Sequence, residues 1–497
     1  MPEYILRAID IRKSFGGVEA LKGVNIDICR GEIHSLAGEN GCGKSTLIKI
    51  VSGVYEADGG LIELDGKQFS RLSPAEAISR GVQVIYQDFS VFPNLTVMEN
   101  LALNMELMDN RKFVNYIRMR KIAKEAIAKI GFDVDLDELV ENLSIADKQL
   151  IAVCRALLYD AKLIIMDEPT TALTKKEVKS LFGVIKNLQS QGIATLFVSH
   201  KLDEVFEISE RFTILRNGEN VVTGSTAELD NKKFAFYMTG REFKEESYEP
   251  AAVSDKPILR VKNLTLWNGY SDVSFDLRGG EILGITGLLG SGRTELVQTL
   301  FGIYTPDSGD IEVDGTKARI RSVKDAVSLG IGYVPADRLS EGLFLSQSIG
   351  RNIIISSLEG LSSSLGFLDE RKIDEQIEFW IRELSISTDD SERPVNTLSG
   401  GNQQKVVLSR WLANDLKVLI LNGPTVGVDI GSKYDIHGLL RKLASEGLGV
   451  IVISDDLPEI LACCNRVIVM RDGKIVEELK TAETSEARLG EIATGVA

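Results

Sequence analysis

Cysteine, histidine and tryptophan are scarce, with 5, 3 and 3 examples among 497 residues. The cysteines sit at positions 29, 42, 154, 463 and 464, and no C-x-x-C pair occurs. That argues against a disulfide framework and a structural zinc site, and a reducing compartment is expected. Proline (11) and glycine (45) follow no short period, so a collagen-like rod is excluded. No uninterrupted apolar run reaches the roughly 18 residues of a membrane span. The opening MPEYILRAIDIRKSF lacks the charged-then-apolar layout of a signal peptide. If the chain serves a membrane process, another chain is expected to do the crossing. Positive charge is also short: 57 Lys+Arg against 72 Asp+Glu give a net charge of −15. Such an acidic balance argues against a whole-chain electrostatic footprint for nucleic acid. What is present is ordinary for a soluble globular chain, 44% hydrophobic and 26% charged. At about 150 residues per domain, the length allows two to four domains.

The chain repeats itself. GLIELDGKQ resembles GDIEVDGTK, which places Asp65 and Asp314 at 314 − 65 = 249 residues apart. GENGCGKST starts at Gly38 and GLLGSGRTE at Gly287, again 249 apart. RGVQVIYQD and LGIGYVPAD align Gln87 with Ala336 at the same offset. Beyond these the offset becomes 255, pairing Ser144 with Ser399, Asp167 with Asn422, His200 with Asp455 and Gly218 with Gly473. One order with a single shift of 255 − 249 = 6 residues means tandem duplication of a unit of about 245 residues. The expected domains are 1–243 and 257–497, joined by a polar linker at 244–256.

Within each unit strands and helices alternate. EIHSLAG (32–38) reads as a short strand ending in a Gly-rich loop. STLIKIVSGV (45–54) has helical spacing, with Leu47, Ile48, Val51 and Val54 expected on one face. LIIMDEP (163–169) and ATLFVSH (194–200) are near-continuous apolar runs, as buried parallel strands require. KEVKSLFGVIKNL (176–188) and NYIRMRKIAKEAIAKIG (115–131) are expected to be amphipathic helices, the second inside a mainly helical insertion over 88–143. The alternation predicts an α/β fold around a parallel sheet.

Gly38-Glu39-Asn40-Gly41-Cys42-Gly43-Lys44-Ser45-Thr46 matches the phosphate-loop pattern G-x-x-x-x-G-K-S/T in full. Its glycines let backbone N–H groups wrap an anion, and the loop opens a helix whose N-terminus favours negative charge. Lys44 is the expected cation for the β and γ phosphates, and Ser45 the hydroxyl for Mg²⁺. Asp167 and Glu168 end an apolar strand, where a carboxylate is costly unless it meets a cation. Asp167 is expected at the magnesium and Glu168 at the attacking water. His200, closing the next strand, is the expected sensor of the γ-phosphate. Cys42 reads either as a space-filler or as a thiol whose pKa falls beside the helix N-terminus. Cys463 and Cys464 read as helix packing.

This ordered series resembles the ATP-binding cassette family, with TLSGGNQQ (397–404) similar to its signature motif, and the resemblance covers the chain twice. The fused arrangement is similar to the ATPase subunits of bacterial monosaccharide importers, as are GYVPADRLSEGL (332–343), LSIAD and TALT. The resemblance implies two tandem P-loop domains, each with a parallel-sheet α/β core, a small antiparallel β subdomain and a helical insertion. It further implies ATP and Mg²⁺ as cofactors, Phe15 stacking on adenine, Thr46 on the α-phosphate, and Gln87 touching both the metal and a membrane subunit. The partners implied are two separate permease subunits and, through the complex, an extracytoplasmic solute-binding protein. The implied location is peripheral, at the cytoplasmic face of the bacterial inner membrane, without nucleic acid. Residues near 87–100 and 336–352 are expected to form grooves for the permease or to pack the helical insertion.

Members of that family dimerise head to tail, so each nucleotide meets the P-loop of one unit and the signature of the other. One pairing is complete: Lys44, Asp167, Glu168, Gln87 and His200 with Ser399, Gly400, Gly401 and Asp429. The other pairs the loop of Gly287, Gly292, Arg293 and Thr294, which retains an expected nucleotide-binding role, with Ser144-Ile145-Ala146-Asp147. There Arg293 replaces the lysine, Asn422 the magnesium carboxylate, Gly423 the base, Asp455 the histidine and Ala336 the glutamine. Thr174 stands where Asp429 stands in the second half. All losses fall on one site, so one working ATPase site is expected. The function implied is ATP hydrolysis coupled to import of a monosaccharide or related small polar solute. Nucleosides and furanosyl signalling molecules remain open as cargo. A soluble tandem cassette acting on ribosomes is a rival, set back by the short linker, the single intact site and the acidic balance. A DNA-repair or chromosome ATPase would need a zinc module or a long coiled-coil insertion, and neither occurs.

Overall fold

A computed structural model of the chain describes residues 3–86, 91–108, 114–171, 173–242, 253–362 and 367–495. It divides into two compact units, Met1–Phe243 and Lys244–Ala497. Most of the linker expected at 244–256 lies outside the described residues, as does Gln87.

The first unit has ten strands: β1 (Tyr4–Phe15), β2 (Val18–Cys29), β3 (Ile33–Gly38), β4 (Gly59–Leu64), β5 (Lys67–Phe69), β6 (Val82–Ile85), β7 (Leu163–Asp167), β8 (Ala194–Val198), β9 (Arg211–Arg216) and β10 (Glu219–Ser225). β2-β1-β4-β5 form a four-stranded antiparallel sheet. β10-β9-β3-β8-β7-β6 form a six-stranded sheet, parallel except for β10 at its edge. Every residue of β3 and β8 is buried, because the sheet is covered on both faces and a polar face would have no water. One apolar cluster on that sheet contains Leu36, Leu47, Ile165 and Leu196, and the other contains Ile164, Phe182, Ile185 and Phe197.

The helix expected over 115–131 spans Tyr116–Ile130. The Asn115 side chain caps it by accepting from Arg118 N, and Gly131 at φ 66° ends it in the left-handed conformation. Met119, Ala123, Ala126 and Ile130 bury one stripe. The helix after the phosphate loop stops earlier than the spacing predicts, at Val51. Gly53 has φ 77°, and a Cβ there would meet the Ser73 carbonyl carbon at 2.4 Å. Val54 therefore leaves the buried face and is half exposed, contrary to the expectation.

The second unit repeats the plan with β11 (Pro257–Leu266), β12 (Tyr270–Arg278), β13 (Ile282–Thr286), β14 (Ser308–Val313), β15 (Thr316–Ala318), β16 (Ile331–Val334), β17 (Val418–Asn422), β18 (Gly449–Ile453), β19 (Arg466–Arg471) and β20 (Lys474–Lys480). The sheet orders are β12-β11-β14-β15 and β16-β17-β18-β13-β19-β20. Among the described residues no helix is long and apolar enough to cross a membrane.

Candidate functional site

In the first unit β3, β8 and β7 are neighbours and run in parallel. Their carboxyl ends therefore bring Gly38, His200 and Asp167-Glu168 to one edge, where open α/β sheets bind ligands. The phosphate loop leaves β3 and enters the helix Lys44–Val51. Its tight path depends on Gly43 at φ 111°, where a Cβ would meet Leu21 Cδ2 at 2.7 Å and the Ala20 carbonyl oxygen at 2.8 Å. Lys44 is buried, and its Nζ donates to the carbonyl oxygens of Gly38 at 2.6 Å and Glu39 at 3.0 Å. The loop thus holds one desolvated cation at its centre. Ser45 is exposed and Thr46 half-buried.

The two carboxylates at the end of β7 are pushed apart in acidity. Burial, and then repulsion from Glu168, raises the Asp167 carboxyl above its ordinary value. A hydrogen bond from His200 holds Glu168 below its ordinary value against the cost of burial, with Lys44 and Lys201 pulling the same way. His200 Nδ1 lies 3.2 Å from Glu168 Oε1. Glu168 is therefore an ionised acceptor at neutral pH. Its backbone is held at φ 48°, in the left-handed region, where a non-glycine residue costs about 1–2 kcal/mol. The strain aims one carboxylate at the end of the sheet and suggests a functional demand rather than packing. Ser45 and Asp167 offer hydroxyl and carboxylate oxygens, the donor set that magnesium takes. The raised Asp167 carboxyl is a group that a cation would stabilise.

Phe15, at the end of β1, is 43% exposed, which leaves its ring available to a planar ligand. Tyr55 meets it edge-on at 5.4 Å, and Lys13 Nζ lies 5.4 Å from its centroid. Cys42 departs from the reactive reading. Its side chain is buried, and desolvation pushes the thiol up despite Lys44 nearby. Burial outweighs the helix terminus, so space-filling is the reading that stands. We expect iodoacetamide at pH 7 to modify Cys42 no faster than an unperturbed thiol, checked by mass spectrometry of the labelled peptide.

The second unit carries the corresponding groups with different chemistry. Its loop keeps the same path, with Gly292 at φ 89° and a virtual Cβ 2.4 Å from the Gly269 carbonyl oxygen. Arg293, the first residue of the helix Arg293–Leu300, is buried, and its guanidinium pairs with Asp455 and donates to the Ser454 carbonyl oxygen at 3.4 Å. Asn422 Nδ2 lies 3.5 Å from the Tyr333 hydroxyl. Gly423 takes the left-handed conformation of Glu168, at φ 61°, without strain or carboxylate.

The signatures also differ. Ser144 caps the helix Ile145–Leu157, and its Oγ donates to Asp147 at 2.8 Å, so serine and aspartate satisfy each other. Ser399 precedes the helix Gly400–Leu412 without a side-chain cap and accepts from Asn402 Nδ2 at 2.9 Å. Gly401 is close-packed: a Cβ would sit 1.9 Å from Ser432 Oγ. Asp429 accepts from the backbone N and Oγ of Ser432 at 2.8 and 2.9 Å, so it caps the helix Ile430–Ser445. Thr174 does the same for Lys175–Ser190, in a capping box with Glu177.

Several groups emerge only in three dimensions. Arg338 donates to the carbonyl oxygens of Val426 at 2.8 Å and Gly427 at 3.1 Å, tying the GYVPADR segment to the loop before Asp429. In the sequence it is marked only by its place in GYVPADRLSEGL (332–343). Asn100 and Asn352, in the expected permease grooves, are buried and bracket Phe92 and Phe344 through their backbones. Their role is packing, while Phe92 and Phe344 stand half exposed.

A family model described as ABC transporter matches residues 21–171 and 270–426. The ribose import ATP-binding protein RbsA of Bacillus licheniformis is 40% identical, covering 98% of both chains. The ribose import ATP-binding protein RbsA 3 of Rubrobacter xylanophilus is 42% identical over 99% of both chains, and the ribose import ATP-binding protein RbsA of Bacillus subtilis is 38% identical over 98% of both. Among solved structures, an ATP-binding cassette of an ABC transporter in its ADP conformation is 27% identical, with a TM-score of 0.43, over 46% of this chain and 94% of that one.

Proposed function

The chain belongs to the ABC transporter family, and from that premise we propose that it is the ATP-hydrolysing subunit of a bacterial importer whose cargo is a monosaccharide of the ribose class. The observation that carries the catalytic part is the Glu168–His200 contact at the sheet edge beside Lys44. The names of the relatives support the cargo.

We assign the reacting nucleotide to the first phosphate loop. Lys44 neutralises the β and γ phosphates, and the loop N–H groups hold them. Glu168, ionised and oriented by His200, accepts a hydrogen bond from the water that attacks the γ-phosphate. Phe15 offers a face for adenine. Ser45 and Asp167 would hold magnesium, which would supply positive charge against the phosphate oxygens. Ser399, Gly400, Gly401 and Asp429 are assigned to nucleotide contact on the family resemblance alone. Gln87 is assigned to the metal and to the permease on the same ground. Phe92 and Phe344 are the exposed aromatic anchors for permease helices in each unit. The complex then sits at the cytoplasmic face of the inner membrane, with the permease crossing it and a binding protein delivering solute.

Deleting the gene is expected to abolish uptake of labelled ribose or a close relative. The wild-type chain restores it, and a Lys44→Ala chain does not. Unchanged uptake of every monosaccharide tested would overturn the cargo assignment. Restoration by Lys44→Ala would overturn the site.

A further inference from the structure

The second phosphate loop keeps its shape but has changed its charge. Gly292 preserves the backbone path, and a helix still begins at the loop. The group at its centre is Arg293, whose side chain is only 9% exposed. An unpaired guanidinium at that depth would be costly. Asp455 and the Ser454 carbonyl oxygen take it up, and Asp455 itself is 75% exposed at the mouth of the loop. In the first unit the same two positions hold Lys44 and His200, and His200 turns to Glu168 instead. The two replacements in the second unit are therefore complementary: a cation became a planar fork, and its neighbour became the carboxylate that fits it.

We propose that Asp455 occupies the cation of the second phosphate loop and excludes nucleoside triphosphate from it, so that each chain takes up one ATP instead of two. A triphosphate approaching this loop must displace a carboxylate from Arg293 and then lie beside it. The triphosphate carries several negative charges and the guanidinium they would meet is already neutralised, so binding about a hundredfold weaker is expected. Asn422 and Gly423 deepen the effect, since neither brings the negative charge that would draw in a cation to shield the phosphates. This rests on the assignment of the reacting nucleotide to the first loop.

The test is equilibrium dialysis of labelled MgATP against the full-length chain carrying Glu168→Gln, which prevents turnover. One ATP per chain is expected. Adding Asp455→Asn removes the charge while keeping size and a hydrogen-bond acceptor, and is expected to open a second class of sites, giving two. Asp455→Ala is the second variant, and circular dichroism reports whether each is folded. Two ATP per chain with Asp455 intact would overturn the proposal. So would one ATP per chain in the folded Asp455→Asn form. Lys44→Ala separates the two claims: it should leave no ATP with Asp455 intact and one with Asp455→Asn. One remaining ATP with Asp455 intact would instead overturn the assignment of the first loop.

Discussion

Glu168→Gln lowers steady-state ATP hydrolysis by about 10²–10³-fold while ATP still binds. The substitution keeps the size of the side chain and the left-handed backbone at φ 48°. It removes the negative charge that His200 stabilises. Glutamine still bonds to a water but attracts its proton weakly. In the proposed site the nucleotide is held mainly by Lys44 and the loop amides, which the change does not touch. Phosphate release and nucleotide binding, measured on one preparation, separate the two effects. Equal losses in both would mean that Glu168 supports the loop instead of the chemistry. The corresponding residue, Gly423, already lacks the carboxylate, so its unit is expected to contribute no turnover of its own.

The second large effect is a contrast between equivalent positions. Lys44→Ala should remove at least about 99% of ATP hydrolysis, since it deletes a desolvated cation from the phosphate loop. Arg293→Ala should leave the rate within about threefold, because the pair it breaks has a well-exposed partner that water can re-solvate. Asp455 is 75% exposed, so its release carries little desolvation cost. ATPase assays on the two folded variants check this. Comparable losses would show that both loops feed the same turnover.

The fold was legible because its strands under the site are buried on both faces. Runs such as LIIMD and ATLFV have no polar alternation to confuse with another element. The offsets of 249 and 255 residues then carried the reading from one unit to the other. The convergence of Lys44, Glu168 and His200 was legible for a related reason: each stands at or just past the carboxyl end of a buried strand of one parallel sheet. What escaped depends on side-chain direction. Arg293 and Asp455 lie 455 − 293 = 162 residues apart, and as separate losses they gave no sign that each satisfies the other. Cys42 carried the right residue beside the right helix, yet its burial, invisible in a one-dimensional pattern, reverses the effect. Asp429 and Thr174 also share a local task that their difference hid, since each caps a helix. Val54 followed the helical period past the point where Gly53 ends the helix.

Vanadate-trapped photocleavage locates the transition state along the chain. MgATP and vanadate are turned over in the complete transporter, irradiated, and the cut sites read from the fragments. One cut near Ser45 is expected, with none near Thr294. A cut near Thr294 of comparable yield would contradict a single working ATPase site in this chain.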